Sequence, residues 1–366
     1  MRIFVITILL LIIPFSVSAN SLIEYAEQYN LEKLIDYDLE IFDNFSLEEI
    51  QTNILNGKGF DTVNIVKKLL LMFTAEFNAY LKMFLMLIVC GFIMGLGVGN
   101  ELAGNKNKEV AKCVCYCIFA GLLCSLYNDI TKPVWEYMEY ISTTAKALFS
   151  VLIGITYAKG EAITGLLMNS SVMVMINLFL EIFEKILLPL ITSSAIVSIA
   201  DNFSGRIKIT ALATNLRSVV KWILGFILSI TTGILGIYSM AGSGIDLTIR
   251  KAAKMAVGTA LPVVGGVVAE SMETIGAVLK GVSSVVGVSG IVIVVLYGAV
   301  PLVKLLALRW GLKMCIVILE PVSPPEIIKA SEGICECVTY IFAVFASGLL
   351  LILGCVGVLM MTGNYI

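Results

Sequence analysis

The stretch AYLKMFLMLIVCGFIMGLGVG, residues 79–99, indicates the class of fold. A helix needs about 20 apolar residues to cross the hydrocarbon core of a bilayer, and Lys82 is the single charged residue in this stretch. Gly91, Gly95 and Gly99 recur at every fourth position, so they lie on one helix face that another helix can approach closely. We therefore expect a membrane-spanning helix with a packing and assembly surface. Its partner is either another helix of the chain or another subunit.

Composition extends this prediction to the whole chain. Of the 366 residues, 58% are hydrophobic and 14% are charged, whereas soluble domains carry about 25% charged residues. We expect an all-α fold, a polytopic helical membrane protein with about 6–8 transmembrane helices. The candidate spans lie at about 79–99, 113–131, 141–158, 163–183, 186–200, 218–240, 285–303 and 339–361.

Two further apolar segments, 256–280 and 304–320, are rich in glycine or contain charges. They suit re-entrant or interfacial helices better than uninterrupted spans. A weak internal similarity also suggests repeat halves at about 145–242 and 256–363. Such halves are common in transporters, although apolar sequences also resemble one another by chance.

The N-terminus has the features of a secretory signal peptide at residues 1–19. A positive start precedes the apolar run Ile3–Ile13, and the small residues Val17–Ala19 provide a cleavage site. An uncleaved anchor helix is the alternative, although the run is short for a full span. Residues 20–66 hold ten Asp and Glu against two Lys. We expect an acidic, exported helical segment there, or a solvated acidic linker, followed by a multipass membrane domain at 67–366.

The basic residues support an orientation in which the acidic segment lies outside the cell membrane. If the acidic segment lies outside the cell membrane, the basic clusters around Lys112, Arg217 and Arg309 fall on the cytoplasmic side, where Lys and Arg are enriched. The cluster Arg250–Lys254 is an exception, because a count of eight spans places it on the outer side of the membrane. Either this cluster belongs to an interfacial helix, or the number of spans is not eight.

The residue types that most catalytic sites use are missing. The chain has no histidine, the commonest general base and metal ligand. Cys113, Cys117 and Cys124 share a helix face, but they lie in an apolar segment, so we interpret them as packing residues rather than metal ligands. No P-loop and no basic block with interleaved aromatics is present. We therefore expect no enzyme activity, cofactor, metal or nucleic-acid site.

A few charged residues fall near the candidate spans. Glu181 and Lys185 are spaced for an ion pair on a helix, but we interpret their position as a loop between two apolar runs. Glu270 and Glu273 lie in the glycine-rich stretch. Because charges at membrane depth often mark pathways, these two residues are candidate polar positions along a substrate or ion path.

The order of motifs in the second half resembles a known family. These motifs are Gly205–Arg217, Ile249–Lys254, Gly258–Gly265, Gly287–Ile291 and Tyr297–Lys304. In this order they resemble stage III sporulation protein AE of endospore-forming Firmicutes. The resemblance runs from about residue 69 to the C-terminus.

The resemblance implies an integral component of a channel or secretion complex that joins the mother cell to the forespore. Members of the family are multipass proteins of the mother-cell membrane around the forespore. Their implied partners are the other stage III A sporulation proteins and, through the complex, stage II protein Q. The complex supports forespore gene expression after engulfment. A self-sufficient permease for a small solute is the alternative, motivated by the candidate repeat and by Glu270 and Glu273.

Overall fold

The computed structural model describes residues 62–99, 105–158, 162–204, 211–234, 236 and 265–362, and the regular structure in these ranges is helical. The predicted all-α fold is therefore confirmed. The signal peptide, residues 20–61 of the acidic segment and the cluster Arg250–Lys254 lie outside the described residues. In chain order the helices are α1 (Thr62–Gly99), α2 (Asn105–Ala158), α3 (Ala162–Ile182), α4 (Leu188–Ser204), α5 (Ala211–Ile234), α6 (Gly265–Leu319) and α7 (Pro325–Thr362).

Five helices in the described part of the chain are long and apolar enough to cross a membrane. Their apolar portions are Lys67–Leu96, Val110–Ala158, Ala211–Ile234, Val286–Leu319 and Pro325–Val358. This finding covers the described residues and agrees with a polytopic helical membrane protein; several segments predicted as separate spans form continuous helices.

Helix α2 joins two predicted spans, 113–131 and 141–158, in one helix of 54 residues. The charged segment between them was predicted to separate the spans. It consists largely of Lys, Glu and aromatic residues, which the helix accommodates at little cost. Pro133 lies inside the helix without ending it.

Helices α3 and α4 are also continuous, through the π-helical turn Phe183–Leu187. The predicted loop around Glu181 and Lys185 is therefore wrong. Their predicted ion pair is confirmed, with Lys185 Nζ 2.6 Å from Glu181 Oε1. A π-helical turn of this kind is a bulge of one extra residue inside a helix and does not end it.

Helix α6 extends over 55 residues and contains Pro301. The predicted span 285–303 and the segment 304–320, predicted to be re-entrant or interfacial, lie almost entirely within this single helix. Residues 265–280 of the other such segment form its beginning. Lys304 and the basic residues that follow are good helix formers, so they continue the helix rather than end it.

The α6–α7 hairpin packs against α1, α2 and α4. Helix α1 runs parallel to α6, because Glu76 pairs with Lys304 near one end and Gly91 meets Leu319 near the other. Helix α2 runs parallel to α7, since Lys112 pairs with Glu326 and Met138 contacts Gly348.

The core between these helices is filled by large apolar side chains. Phe119 and Phe149 of α2, Phe183 of the π-helical turn and Phe345 of α7 are each less than 2% exposed. Trp135 stacks on Phe183 at 5.7 Å between ring centroids. The interior of the described bundle is thus close-packed, as expected of a folded helical protein.

Replacing Phe345 by alanine tests this packing. Phe345 is 0% exposed, so Phe345→Ala should lower the free energy of unfolding by about 3–5 kcal/mol through lost contacts and the cavity left behind. Denaturant or thermal unfolding of the detergent-solubilised protein measures the change.

The matched control is Leu350→Ala, because Leu350 lies on the same helix and is 49% exposed. We expect a much smaller loss there. Equal losses at the two positions would contradict the packing described.

Candidate functional site

Two glycines of the predicted ridge on α1 hold the turn between α6 and α7. A Cβ atom on Gly91 would lie 2.6 Å from Cδ2 of Leu319, and a Cβ on Gly95 would overlap the backbone carbonyl oxygen of Val322. Ser323 Oγ also donates a hydrogen bond of 3.1 Å to the Gly91 carbonyl oxygen. The side of the ridge that these two glycines form is therefore occupied from within the chain.

The third glycine of the ridge, Gly99, is the last residue of α1. Its surroundings lie outside what the structure describes. The role of the ridge in a contact between subunits stays a prediction, and at Gly95 it would compete with the α6–α7 turn.

The same kind of contact recurs where other helices meet. A Cβ added to any of these glycines would meet a side chain of a neighbouring helix. None of them has another glycine four residues away, so no glycine ridge identifies them in the sequence. They are Gly290 against Leu148, Gly298 against Leu349, Gly311 against Phe84, Gly333 against Ser198 and Gly348 against Phe179.

Glu270 and Glu273 lie on the first turns of α6, in the part of the helix for which only the backbone is described. Their side chains are outside the described structure, and their role along a pathway stays a prediction.

A buried arginine links three helices, and the sequence did not single it out as a site. Arg217, which the sequence places in a basic cluster predicted to be cytoplasmic, lies in α5 with 7% of its side chain exposed. Its Nε donates to Ser194 Oγ at 2.7 Å, and its Nη2 donates to Ser198 Oγ at 2.6 Å. Its Nη1 forms an ion pair with Glu336 Oε2 of α7. Arginine suits such a site because its planar group offers five donors in fixed directions.

The serines complete this network. Ser198 Oγ donates to the Ser194 carbonyl oxygen at 2.8 Å, and Ser194 Oγ donates to the Ala213 carbonyl oxygen at 3.2 Å. A lone arginine gives no local sequence signal for such a cluster. The one local hint was the spacing of Ser194 and Ser198, which places both hydroxyls on one face of α4.

A second polar cluster lies where α1, α2 and α6 meet. Lys304 Nζ is 3.4 Å from Glu76 Oε1 and 5.9 Å from the ring centroid of Tyr137. Lys304 lies within α6, five residues before Arg309. A lysine that faces a carboxylate and an aromatic ring is stabilised by both.

The cysteines show no metal site among the described residues, where no group of three or more His, Cys, Asp or Glu side chains could hold an ion. Cys113, Cys117 and Cys124 lie on α2 and are exposed rather than buried. Their interpretation as packing residues inside the chain is therefore wrong. These side chains face outward from the bundle.

The fold and these clusters define a helical membrane protein whose helices are joined by glycine contacts and by one buried arginine. The chain belongs to the stage III sporulation protein AE family, whose model matches residues 45–363. The family resemblance found in the sequence is thereby confirmed.

One relative is the stage III sporulation protein AE of Bacillus subtilis (strain 168), which is 24% identical over 265 residues. The alignment covers 72% of this chain and 66% of that relative, just under two thirds of its length. No solved structure matches the chain.

Gly95→Ala should destabilise the fold, because the new methyl group would overlap the Val322 carbonyl oxygen. Overpacking of this kind costs about 1–3 kcal/mol, measured as the free energy of unfolding in detergent. Gly121→Ala is the control, since nothing lies within 4 Å of a Cβ there. Alanine is the better helix former, so the control should be neutral or slightly stabilising. A stable Gly95→Ala protein would show that the α6–α7 turn does not rest on α1.

Arg217→Met should also destabilise the fold, because the hydroxyls of Ser194 and Ser198 each lose the arginine as a donor and Glu336 loses its ion-pair partner. Loss of hydrogen bonds from a charged group costs about 1.5–3 kcal/mol, and no buried charge is left unpaired because 61% of the Glu336 side chain is exposed. The control is Lys185→Met, which removes an exposed ion pair between neighbouring turns and should leave unfolding unchanged. Similar unfolding of both variants would contradict a stabilising role for Arg217.

Proposed function

We propose that the chain is a non-enzymatic, integral membrane component of a channel or secretion complex between mother cell and forespore. In this proposal it resides in the mother-cell membrane around the forespore, with its acidic N-terminal segment on the extracytoplasmic side. The complex is needed for sporulation and for forespore gene expression after engulfment. Its partners are the other stage III A sporulation proteins and, through them, stage II protein Q.

The observation that carries the proposal is membership of the stage III sporulation protein AE family over most of the chain. The five helices that can cross a membrane support a role within the bilayer.

The packed interior of the chain favours a conduit formed between several subunits over a passage inside one chain. The space between α2, α4 and α7 is occupied by side chains such as Phe119, Phe149 and Phe345, which are less than 2% exposed. A permease that works alone needs a polar, accessible cavity among its own helices. In the described bundle that space is filled, so a conduit is better placed between subunits.

Deletion of the gene in a sporulating host tests the proposal. Engulfment should proceed normally, and the forespore should then lose its integrity and its late transcription. Microscopy and a late forespore reporter measure both effects. Return of the intact gene is the control and should restore spores.

Normal spores after deletion would overturn the proposal. Uptake of a solute into liposomes that hold this protein alone would instead support the permease.

A further inference from the structure

Helices α1 and α2 share one exposed side of the bundle. We call it the α1–α2 face and define it as the exposed side chains of residues 67–96 and 110–139. The two helices adjoin, because Cys90 Sγ lies 3.8 Å from the Cys115 carbonyl oxygen. Helix α1 meets the α6–α7 hairpin with its other side, where Phe84 contacts Gly311. The α1–α2 face therefore points away from the hairpin.

The part of the α1–α2 face nearest the α6–α7 turn is apolar. On α1, Val89 and Ile93 are 56% and 58% exposed, and on α2, Val114 and Ile118 are 53% and 55% exposed. Residues four apart lie on the same side of a helix, so these side chains form one apolar surface. The two helices run in opposite directions, and counting from the contact of Cys90 places Val89 level with Ile118 to within one helical turn.

The rest of the α1–α2 face is charged, with different signs on its two helices. Helix α1 exposes Lys67 and Lys82. Helix α2 exposes three carboxylates and one lysine: Asp129, Lys132, Glu136 and Glu139. The same count along the antiparallel helices places Lys67 level with Glu139. One edge of the face is thus basic and the other is mainly acidic.

The uncharged runs of the other helices indicate where the hydrocarbon core lies along the bundle. In α6 and α7 these runs are 281–303 and 337–362, which are 23 and 26 residues long and pack side by side in the hairpin. The runs of α1 and α2 near the turn, 83–99 and 113–128, have only 17 and 16 residues. A crossing needs about 20 residues, so the core lies at the longer runs.

Neither lipid nor water suits the α1–α2 face in this position. Glu76 pairs with Lys304 and α1 is parallel to α6, so Lys67, nine residues earlier, lies level with Val295 within the core. A charge there is strongly unfavourable against hydrocarbon. The apolar part of the face lies beyond the core on the side of the turn, where a large exposed apolar surface marks a contact with another protein. Both parts of the face thus require a protein partner.

We propose that two copies of this chain associate through the α1–α2 face, with α1 of each copy against α2 of the other. A two-fold axis parallel to the helices generates this arrangement and keeps both copies in the same membrane orientation. It brings Lys67 of one copy to Glu139 of the other at two equivalent places. It also brings Val89 to Ile118. Contact of α1 with α1 would instead place lysines opposite lysines.

The α1–α2 face is large enough for such a contact. Its thirty residues on each helix are about 45 Å long, and two adjacent helices are about 20 Å wide, which gives about 900 Å² on each copy. Stable specific interfaces bury about 800 Å² per partner. The inference goes beyond the proposed channel function and does not depend on it.

Exchange of charges tests the pairing of the two helices. Lys67→Glu and Glu139→Lys each place like charges opposite one another at both contacts, so each variant alone should lose self-association by about tenfold or more. A mixture of the two variants has opposite charges at both contacts and should associate as the unaltered protein does. Co-purification of two differently tagged copies in mild detergent measures the association.

The matched control is Lys185→Glu, because Lys185 is an exposed lysine of the π-helical turn and lies outside the α1–α2 face. It should leave self-association unchanged. Thermal unfolding of Lys67→Glu and Glu139→Lys should match that of the unaltered protein, since both side chains are exposed. Undiminished association of each variant alone, or no recovery in the mixture, would overturn the proposal.

Disulfide cross-linking in membranes of the sporulating host tests the apolar part independently of the charges. One tagged copy carries Val89→Cys and a second carries Ile118→Cys, and copper phenanthroline is the added oxidant. In both copies the cysteines of α1 and α2 are first replaced by alanine: Cys90, Cys113, Cys115, Cys117 and Cys124. The two copies should form a mixed dimer, because the interface holds the two thiols at a high effective concentration.

The control pair is Val317→Cys with Ile118→Cys. Val317 is 59% exposed on α6 and lies level with Val89, because Leu319 meets Gly91. This pair should give about tenfold less mixed dimer, since its thiols meet only by collision. Equal yields from the two pairs would contradict the proposal. If Val89→Cys cross-links a different protein and not the tagged copy, another subunit occupies the face and association with a second copy is wrong.

Discussion

Close approach of helices at glycine residues is the constraint on which the rest of the structure depends. Between membrane helices the hydrophobic effect supplies little attraction, so packing has to come from close contact and hydrogen bonds. Gly91 and Gly95 admit the α6–α7 turn, and Gly311 admits Phe84. The α6–α7 hairpin is thereby held against α1. In this arrangement Lys112 pairs with Glu326, Lys304 pairs with Glu76, and Arg217 pairs with Glu336.

The polar groups divide between two tasks in this frame. Arg217 and its serines lie inside and join α4, α5 and α7, where every hydrogen bond they make replaces one to water. The charges of Arg309, Lys313 and Glu332 lie outside on one side of the bundle. The two sets meet at Glu336, which pairs with Arg217 while 61% of its side chain remains exposed. Glu336 thus belongs both to the buried network of Arg217 and to the exposed charges of α6 and α7.

The sequence predicted the helical class, the family and the apolar segments, because hydropathy and motif order are local properties. It did not predict where helices end. Charged residues between the apolar runs of α2 and α6 suggested loops, but Lys and Glu favour helix about as well as Leu does. The sequence also did not predict contacts between segments that are far apart along the chain. The spacing of Gly91 and Gly95 gave a local signal, whereas Gly290 and Gly333 are recognisable only once Leu148 and Ser198 face them.

The two longest helices each contain a proline, Pro133 in α2 and Pro301 in α6. A proline removes one backbone hydrogen bond, and a helix bends most readily at that point. Tyr137 contacts Lys304, and Tyr140 packs on Tyr297 at 5.1 Å, so the two prolines lie at nearly the same height. Both long helices can therefore bend most readily at about the same level, and a bend there would tilt the two ends of the bundle relative to each other.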